Sequence, residues 1–289
     1  MAFTHKLINV SFSLAAGAFT GGGNSYTVTG LRVSAVIEMN GGSSPGQMNL
    51  AIYGLPLSVM NQLSTVGTQR SAQGNNKVQV YAGDAESGMS LVYTGLIFDA
   101  YVDAQNMPEV CFRLRGAPTG GYYAAKQAPP TSLSGPQDVA GMMSKIAQQM
   151  GLQFENNGVS VKIKNPYYPN SFWNQAVSIA QDANVHLVVE KGVMAITPVG
   201  QPRDGTIYLS RETGMVGYPA FRQAGVIAKA LFNPSVGILR TMVIKSDLTP
   251  ANGSWTIFHA VYELESNMPH GKWFMTLEGA PQGYKDPAS

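Results

Sequence analysis

One phrase is written twice in this chain. Ile97-Phe98-Asp99-Ala100, Asn106-Met107-Pro108 and Leu114-Arg115-Gly116-Ala117-Pro118 recur as Ile257-Phe258-His259-Ala260, Asn267-Met268-Pro269 and Leu277-Glu278-Gly279-Ala280-Pro281. The order is kept and the spacing nearly so. Each copy reads as strand, turn, strand and exit loop, because β-branched and aromatic runs favour strands and Asn-x-Pro clusters break them. A chain that builds one β-unit twice presents two similar surfaces. That points to assembly more than to chemistry.

The rest of the chain falls into three parts. Residues 1–126 read as β, with runs such as Leu7–Leu14, Tyr26–Glu38, Met48–Tyr53, Val78–Ala82, Ser90–Thr94 and Glu109–Leu114 bounded by Gly, Pro, Asn or Asp. One short helix is expected at Leu57–Leu63, entered through Pro56. Regularly spaced short strands suggest a barrel or sandwich.

The stretch Gln127-Ala128-Pro129-Pro130-Thr131-Ser132 marks a boundary, and the period then changes. Val139, Met142, Met143, Ile146 and Met150 follow helical spacing, with Ser134 or Gly135 as the N-cap, Pro136 in the first turn and Gly151 at the C-terminal end. Strands are expected at Leu152–Phe154 and Val159–Ile163. A second helix is capped by Asn170 or Ser171, and His186–Glu190 and Val193–Thr197 form a hairpin about Lys191-Gly192. Residues 132–199 are thus a small α+β domain. Residues 200–289 return to β, with strands at Thr206–Leu209, Val226–Leu231, Ile238–Ile244, Trp255–Glu263 and Trp273–Leu277; the aromatic, β-branched run from Trp255 reads as a central strand.

Charge is scarce. Asp, Glu, Lys and Arg make up 12% of the 289 residues and the net charge is +2, whereas about a quarter charged is ordinary. A surface rich in Gly, Ser, Asn and Gln suits a protein covered by neighbours. It does not suit a duplex-binding protein, which needs clustered cations to displace counterions. No run is long enough to cross a bilayer as a helix, and no basic stretch followed by an apolar block opens the chain. An outer-membrane barrel would need export and uninterrupted strands, and the helical middle region interrupts them.

The side chains that carry chemistry do not assemble into a site. His5, His186, His259 and His270 belong to no metal-ligand pattern. Gly42-Ser43-Ser44-Pro45-Gly46 has the letters of a nucleophile elbow, but Pro45 lacks the N–H that would face the oxyanion. Gly21-Gly22-Gly23 lacks the Gly-Lys-Ser/Thr that cradles phosphate. Asp99, Asp103 and Glu109 are close in sequence and read as solvated or lumen-facing positions rather than an acid–base pair. Cys111 reads as a small buried hydrophobe. Tyr167-Tyr168-Pro169 and Phe172-Trp173 could stack on sugars or staple the entry of the second helix; the staple is preferred. No catalytic, cofactor-binding or metal-binding residue is assigned, and no cofactor is expected.

Taken in order, Leu50–Leu55, Val59–Leu63, Val78–Asp84, Tyr93–Ile97 and Pro108–Phe112, then Leu231-Phe232-Asn233-Pro234, Asn252–Trp255 and Gly271–Met275, resemble the baseplate hub proteins of contractile-tailed phages, related to the late-control D family. The resemblance covers most of the chain, and the order of the motifs carries it. It implies two barrel-like β-domains of tail-tube type, 1–126 and 200–289, flanking the α+β domain 132–199. It also implies a homotrimer whose pseudo-six-fold face meets the hexameric tail tube or tube-initiator protein and whose other side holds a central spike protein. Other baseplate proteins would be neighbours, and DNA would pass through the lumen without specific binding. The expected location is the virion tail, assembled in the host cytoplasm, with no membrane insertion. Ending at Ser289, the chain leaves no room for a fused spike, so a separate spike is expected. The competing expectation is a peptidoglycan-binding or wall-degrading tail protein acting through the middle domain.

Overall fold

The computed structural model describes residues 4–41, 46–65, 76–105, 107–118, 127–223 and 225–282. In chain order the elements are β1 (Lys6–Ser13), β2 (Ser25–Val28), β3 (Arg32–Asn40), β4 (Gln47–Tyr53), α1 (Leu57–Leu63), β5 (Lys77–Asp84), β6 (Gly88–Asp103) and β7 (Cys111–Ala117). Then follow β8 (Thr131–Ser132), β9 (Pro136–Asp138), α2 (Val139–Gln149), β10 (Gln153–Asn156), β11 (Lys162–Lys164), β12 (Tyr167–Tyr168), α3 (Phe172–Asp182), β13 (Val185–Glu190) and β14 (Val193–Pro198). Last come β15 (Arg203–Leu209), β16 (Met215–Arg222), β17 (Gly225–Leu231), β18 (Arg240–Ile244), β19 (Gly253–Ser266) and β20 (Trp273–Pro281). The chain divides into two compact units, one of Met1–Glu38, Gln47–Pro118 and Tyr262–Phe274, the other of Met39–Gly46, Thr119–Val261 and Met275–Ser289.

In the first unit the strand order is β3-β4-β7-β6-β5-β1-β2, with the last residues of β19 beside β3. The pairings are antiparallel, from Val10↔Val28 at one edge to Val33↔Ile52 within. Alternation explains the layering. Ile8, Val10 and Phe12 of β1 face inward, as do Val33, Ala35 and Ile37 of β3, and their neighbours along each strand face out. Each such apolar side chain removed from water contributes about 1.5–3 kcal/mol before entropy is counted. The run Tyr26–Glu38, expected as one strand, is two strands. It breaks at Gly30, whose φ of 70° only glycine adopts easily. Asp84 ends β5 and closes its turn. Its carboxylate accepts from the Ser87 hydroxyl and N–H, Lys6 and Thr4, which holds it far below the usual carboxylate range.

In the second unit β16-β17-β20-β19 are neighbours, β18 pairs with β19, and β15 pairs with β18 in parallel. The run from Trp255 is central, as its composition predicts. The sheets are large and mainly antiparallel, but no closed barrel is formed among the described residues, which corrects the barrel expectation. Strand β16 was not anticipated. Its Met-Val-Gly-Tyr-Pro-Ala-Phe-Arg sequence lacks alternation, and only Pro219 is buried.

The second unit also contains the predicted α+β segment. Val139, Met142, Met143, Ile146 and Met150 pack with Trp173, Ala176, Ile179, Leu187, Met194 and Ile196 into one core. The first helix starts later than expected. Pro136–Asp138 is extended and pairs with β11, so Asp138, not Ser134 or Gly135, is the N-cap, and its carboxylate accepts from Gly141 N–H at 2.8 Å. Gly151 does follow the helix with φ 68°. Ser171 caps α3 through Asn174 N–H at 3.3 Å. At the β13–β14 turn both Lys191 and Gly192 have positive φ, as a two-residue hairpin requires.

Candidate interaction surfaces

The two copies of the repeated phrase are both strand–turn–strand hairpins, β6–β7 and β19–β20. In the first, Ile97 lies opposite Gly116 and Asp99 opposite Arg115. In the second, His259 Nδ1 lies 3.5 Å from Glu278 Oε1, and Arg222 reaches the same oxygen at 3.2 Å. The equivalent position pair therefore holds acid then base in one hairpin and imidazole then acid in the other. The glycine of the phrase is explained by close approach. A Cβ on Gly116 would meet Met48 Cε at 3.0 Å and the Tyr93 hydroxyl at 2.8 Å; on Gly279 it would meet Met242 Cε and Trp255 Cβ, both at 2.8 Å. Each copy thus tucks its glycine beneath a methionine methyl and an aromatic residue.

The first unit has an open sheet face. Ser34, Val36, Asn49, Ala51, Tyr101, Arg113 and Arg115 line a shallow depression on it, set by the registers Val36↔Asn49, Asn49↔Arg115 and Tyr101↔Arg113. Asp99, Tyr101 and Asp103 share this face, as even spacing predicts. Both aspartates have hydrogen-bond partners. Asp103 accepts from Arg113 Nε at 2.6 Å, a bond that, with Gln105 N–H, keeps it below the usual carboxylate range. Asp99 accepts from the Thr65 hydroxyl at 3.0 Å. Glu109 is a third, separate case, 3.3 Å from Arg32.

On the second unit, β16 stands at the end of the strand order with Tyr218 70% and Phe221 53% exposed. Aromatic residues left in water on an edge strand are typical of surfaces that meet a partner. A register shift between Val216 and Ala220 interrupts its pairing with β17.

The aromatic group at 167–173 is mostly packed inward. Tyr168 and Trp173 are buried, Phe172 packs on the core, and only Tyr167 is well exposed. The Tyr168 hydroxyl donates to Asp182 at 2.7 Å; burial first, and that bond second, raise its pKa. Cys111 is free and buried. His186 lies on β13, past the end of α3. His5 is exposed and His270 sits in the β19–β20 turn with φ 55°. Residues 42–45 of the Gly-Ser-rich stretch lie outside the described residues. Among the described residues no three His, Cys, Asp or Glu side chains could hold a metal ion, and no helix is long and apolar enough to cross a membrane.

One cluster was not foreseen. Arg203, 3% exposed, donates to Glu155 Oε1 and Oε2 at 3.1 Å, to Glu190 Oε1 at 2.6 Å and to Ile238 O at 3.1 Å. Glu190 Oε2 accepts from Ile238 N–H at 3.0 Å, and Lys191 Nζ donates to Pro234 O and Val236 O at 2.7 and 2.9 Å. Burial pulls the Lys191 pKa down. Burial also opposes the Arg203 charge, yet its bonds to Glu155 and Glu190 hold it above the usual arginine value. In sequence, Glu190-Lys191-Gly192 shows only a turn, and its ionic partners are scattered at 155, 203 and 234–238.

Known proteins share this fold. The family model described as baseplate hub gp41 matches residues 7–279. The fold is similar to that of the tail protein from Neisseria meningitidis MC58, at TM-score 0.63 and 11% identity over 96% of this chain and 97% of that one. It is also similar to the prophage MuSo2 43 kDa tail protein from Shewanella oneidensis, at 0.64 and 8% over 95% and 97%. The E. coli c3393 protein, described as a type VI secretion component structurally similar to T4 tail proteins gp27 and gp5, matches at 0.59 and 10% over 88% and 74%. No match was found among curated protein sequences.

Proposed function

Since the chain belongs to the baseplate hub gp41 family, a family of structural phage tail components, we propose that it forms a trimeric ring joining the six-fold tail tube to the three-fold spike. The observation that carries this reading is the repeated phrase realised as two hairpins of the same design. Two like hairpins in each of three subunits offer six similar surfaces to a six-fold partner, while the ring itself keeps three-fold symmetry. On this reading residues 1–126 and 200–289 are the two hub domains and 132–199 the smaller α+β domain between them. The partners are further copies of the chain, a tube or tube-initiator protein, a central spike protein and other baseplate proteins, with assembly in the host cytoplasm and DNA passing through without specific contacts. Low charge supports extensive contacts, because interface centres are depleted of charged side chains.

The role is structural rather than enzymatic. Burial of Tyr168 and Trp173 weakens the aromatic part of the case for the wall-binding alternative. Native mass spectrometry and negative-stain imaging of the purified chain test the proposal. Trimers imaged as rings with a central hole support it, and a monomer that persists at high concentration overturns it.

A further inference from the structure

In the second unit the strands stand in the order β16-β17-β20-β19-β18-β15. Laid flat, with neighbours about 4.8 Å apart, the two ends of that order would be about 24 Å from each other. Yet β15 and β16 are consecutive in the chain, and the turn that joins them is tight. Met215 N–H donates to Ser210 O at 2.9 Å, and the Thr213 hydroxyl donates to Tyr208 O at 2.8 Å. The sheet therefore curls until its ends meet at this turn. They meet only there. β15 pairs with β18 and β16 with β17, and among the described residues no pairing joins β15 to β16. A seam is left, shut at the turn and open beyond it.

Burial shows that the inner face lacks cover at the seam. Phe221 on β16 stands directly opposite Val226 on β17, so the two side chains share a face. It is the inward face, on which Val226, Ala228 and Ala230 are buried. Val226 is 1% exposed, whereas Phe221 is 53% exposed. The cover stops between one strand and the next. The edge is also poorly guarded. Met215–Phe221 carries no charge, although edges that stay in water are commonly blunted by lysine. Pro219, at the register shift between Val216 and Ala220, blunts only the middle of the strand.

The first unit ends its strand order on an edge of the same character. β2, Ser25-Tyr26-Thr27-Val28, is uncharged and pairs with β1 on one side; among the described residues no strand flanks it on the other. Once water is excluded from such an edge, its backbone N–H and C=O groups are satisfied by another strand. We propose that β2 of one copy of the chain adds to β16 of the next and covers Phe221 at the seam. A contact between two different edges is heterologous, and repeated from copy to copy it closes into a ring when the rotation allows. This joint presupposes the trimer proposed above and assigns its contact surfaces.

Disulfide trapping in the full chain tests it. Thr27→Cys is combined in turn with Val216→Cys, Tyr218→Cys and Ala220→Cys, all at exposed positions. Each double variant is oxidised and run on a denaturing gel beside its single variants. Several positions along β16 are sampled because a disulfide forms only where the Cβ atoms come within about 4.5 Å. At least one double variant is expected to give chains linked to one another, and the single variants none. Native mass spectrometry of the wild type and Phe221→Lys runs in parallel. Phe221→Lys is expected to raise the concentration needed for assembly by at least about tenfold. A wild-type trimer with no linked chains in any double variant overturns the inference and leaves the trimeric reading standing, as does Phe221→Lys assembling at wild-type concentrations. Linked chains from Tyr218→Cys alone would show β16 meeting β16 and overturn it too. A wild type that stays monomeric removes both readings.

Discussion

Removing one atom from the first unit should stabilise it. Tyr93 on β6 is 5% exposed, and its hydroxyl has no hydrogen-bond partner among the described residues. Burial alone drives its pKa far above the ordinary tyrosine value. The oxygen sits in a notch left by two missing side chains, since a Cβ on Gly95 would lie 2.5 Å from it and one on Gly116 2.8 Å. A buried polar group stripped of water and left unpaired costs about 1–3 kcal/mol, and the dispersion lost with a single oxygen is a few tenths. Tyr93→Phe is therefore expected to raise stability by about 1–2 kcal/mol. Gly116→Ala should cost about 1–3 kcal/mol by overpacking, and less by roughly 1 kcal/mol in the Tyr93→Phe background, because the nearest obstacle has gone. Urea unfolding followed by circular dichroism gives the totals. Hydrogen exchange in peptides covering 111–117 assigns them to the first unit, which matters in a chain with more than one compact unit. A Tyr93→Phe variant less stable than wild type by 1 kcal/mol or more would refute the reasoning, since the hydroxyl would then have to be bonded.

Three further outcomes are expected. Arg115→Glu sets two carboxylates across the β6–β7 ladder and should cost about 0.5–1 kcal/mol; adding Asp99→Asn, which still accepts from Thr65, should return most of it in the same unfolding assay. Glu155 titrates below its ordinary value of 4.5 because Arg203 donates to it, with a smaller contribution from Asn157. A depressed folded pKa means stabilisation that is present above 4.5 and lost as pH falls through the lower folded value, so Glu155→Gln should flatten the acid side of a plot of urea midpoint against pH, and an unchanged acid limb would contradict this. Asp138→Ala removes the cap of α2 and should cost about 1 kcal/mol, seen first as faster exchange at Gly141–Met143.

Local rules were legible in the sequence where one force decided the outcome. The helix α1, the Lys191-Gly192 hairpin turn and the buried face of α2 follow from periodicity and φ preference alone, whereas the cap of α3 was narrowed only to Asn170 or Ser171. Pairing overruled propensity at Pro136, where an extended segment finds a partner in β11 before the helix can begin. The strand β16 escaped notice because an edge exposed on both faces has no apolar rhythm to read. The Arg203 cluster could not be foreseen. Its carboxylates, lysine and carbonyls are far apart in the chain, and only tertiary folding makes them neighbours. The repeated phrase was legible as a pair of hairpins, whereas the absence of closure among the described strands was not, because closure depends on how edges meet rather than on what any strand contains.

The opposite polarity of the two repeated hairpins bears on how the chain avoids folding wrongly. Strands that carry the same phrase compete for one another's partners, and a duplicated protein risks joining the first half of one copy to the second half of the other. Were β6 to pair with β20 in the register of the phrase, Asp99 would face Glu278, carboxylate against carboxylate. Were β19 to pair with β7, His259 would face Arg115. The first crossed pairing replaces an opposite-charge pair by two carboxylates, and the second gives up the His259–Glu278 contact. A difference of a few atoms between the copies thus acts as a proofreading mark. It lets the nascent chain carry the same design twice and still tell the two apart.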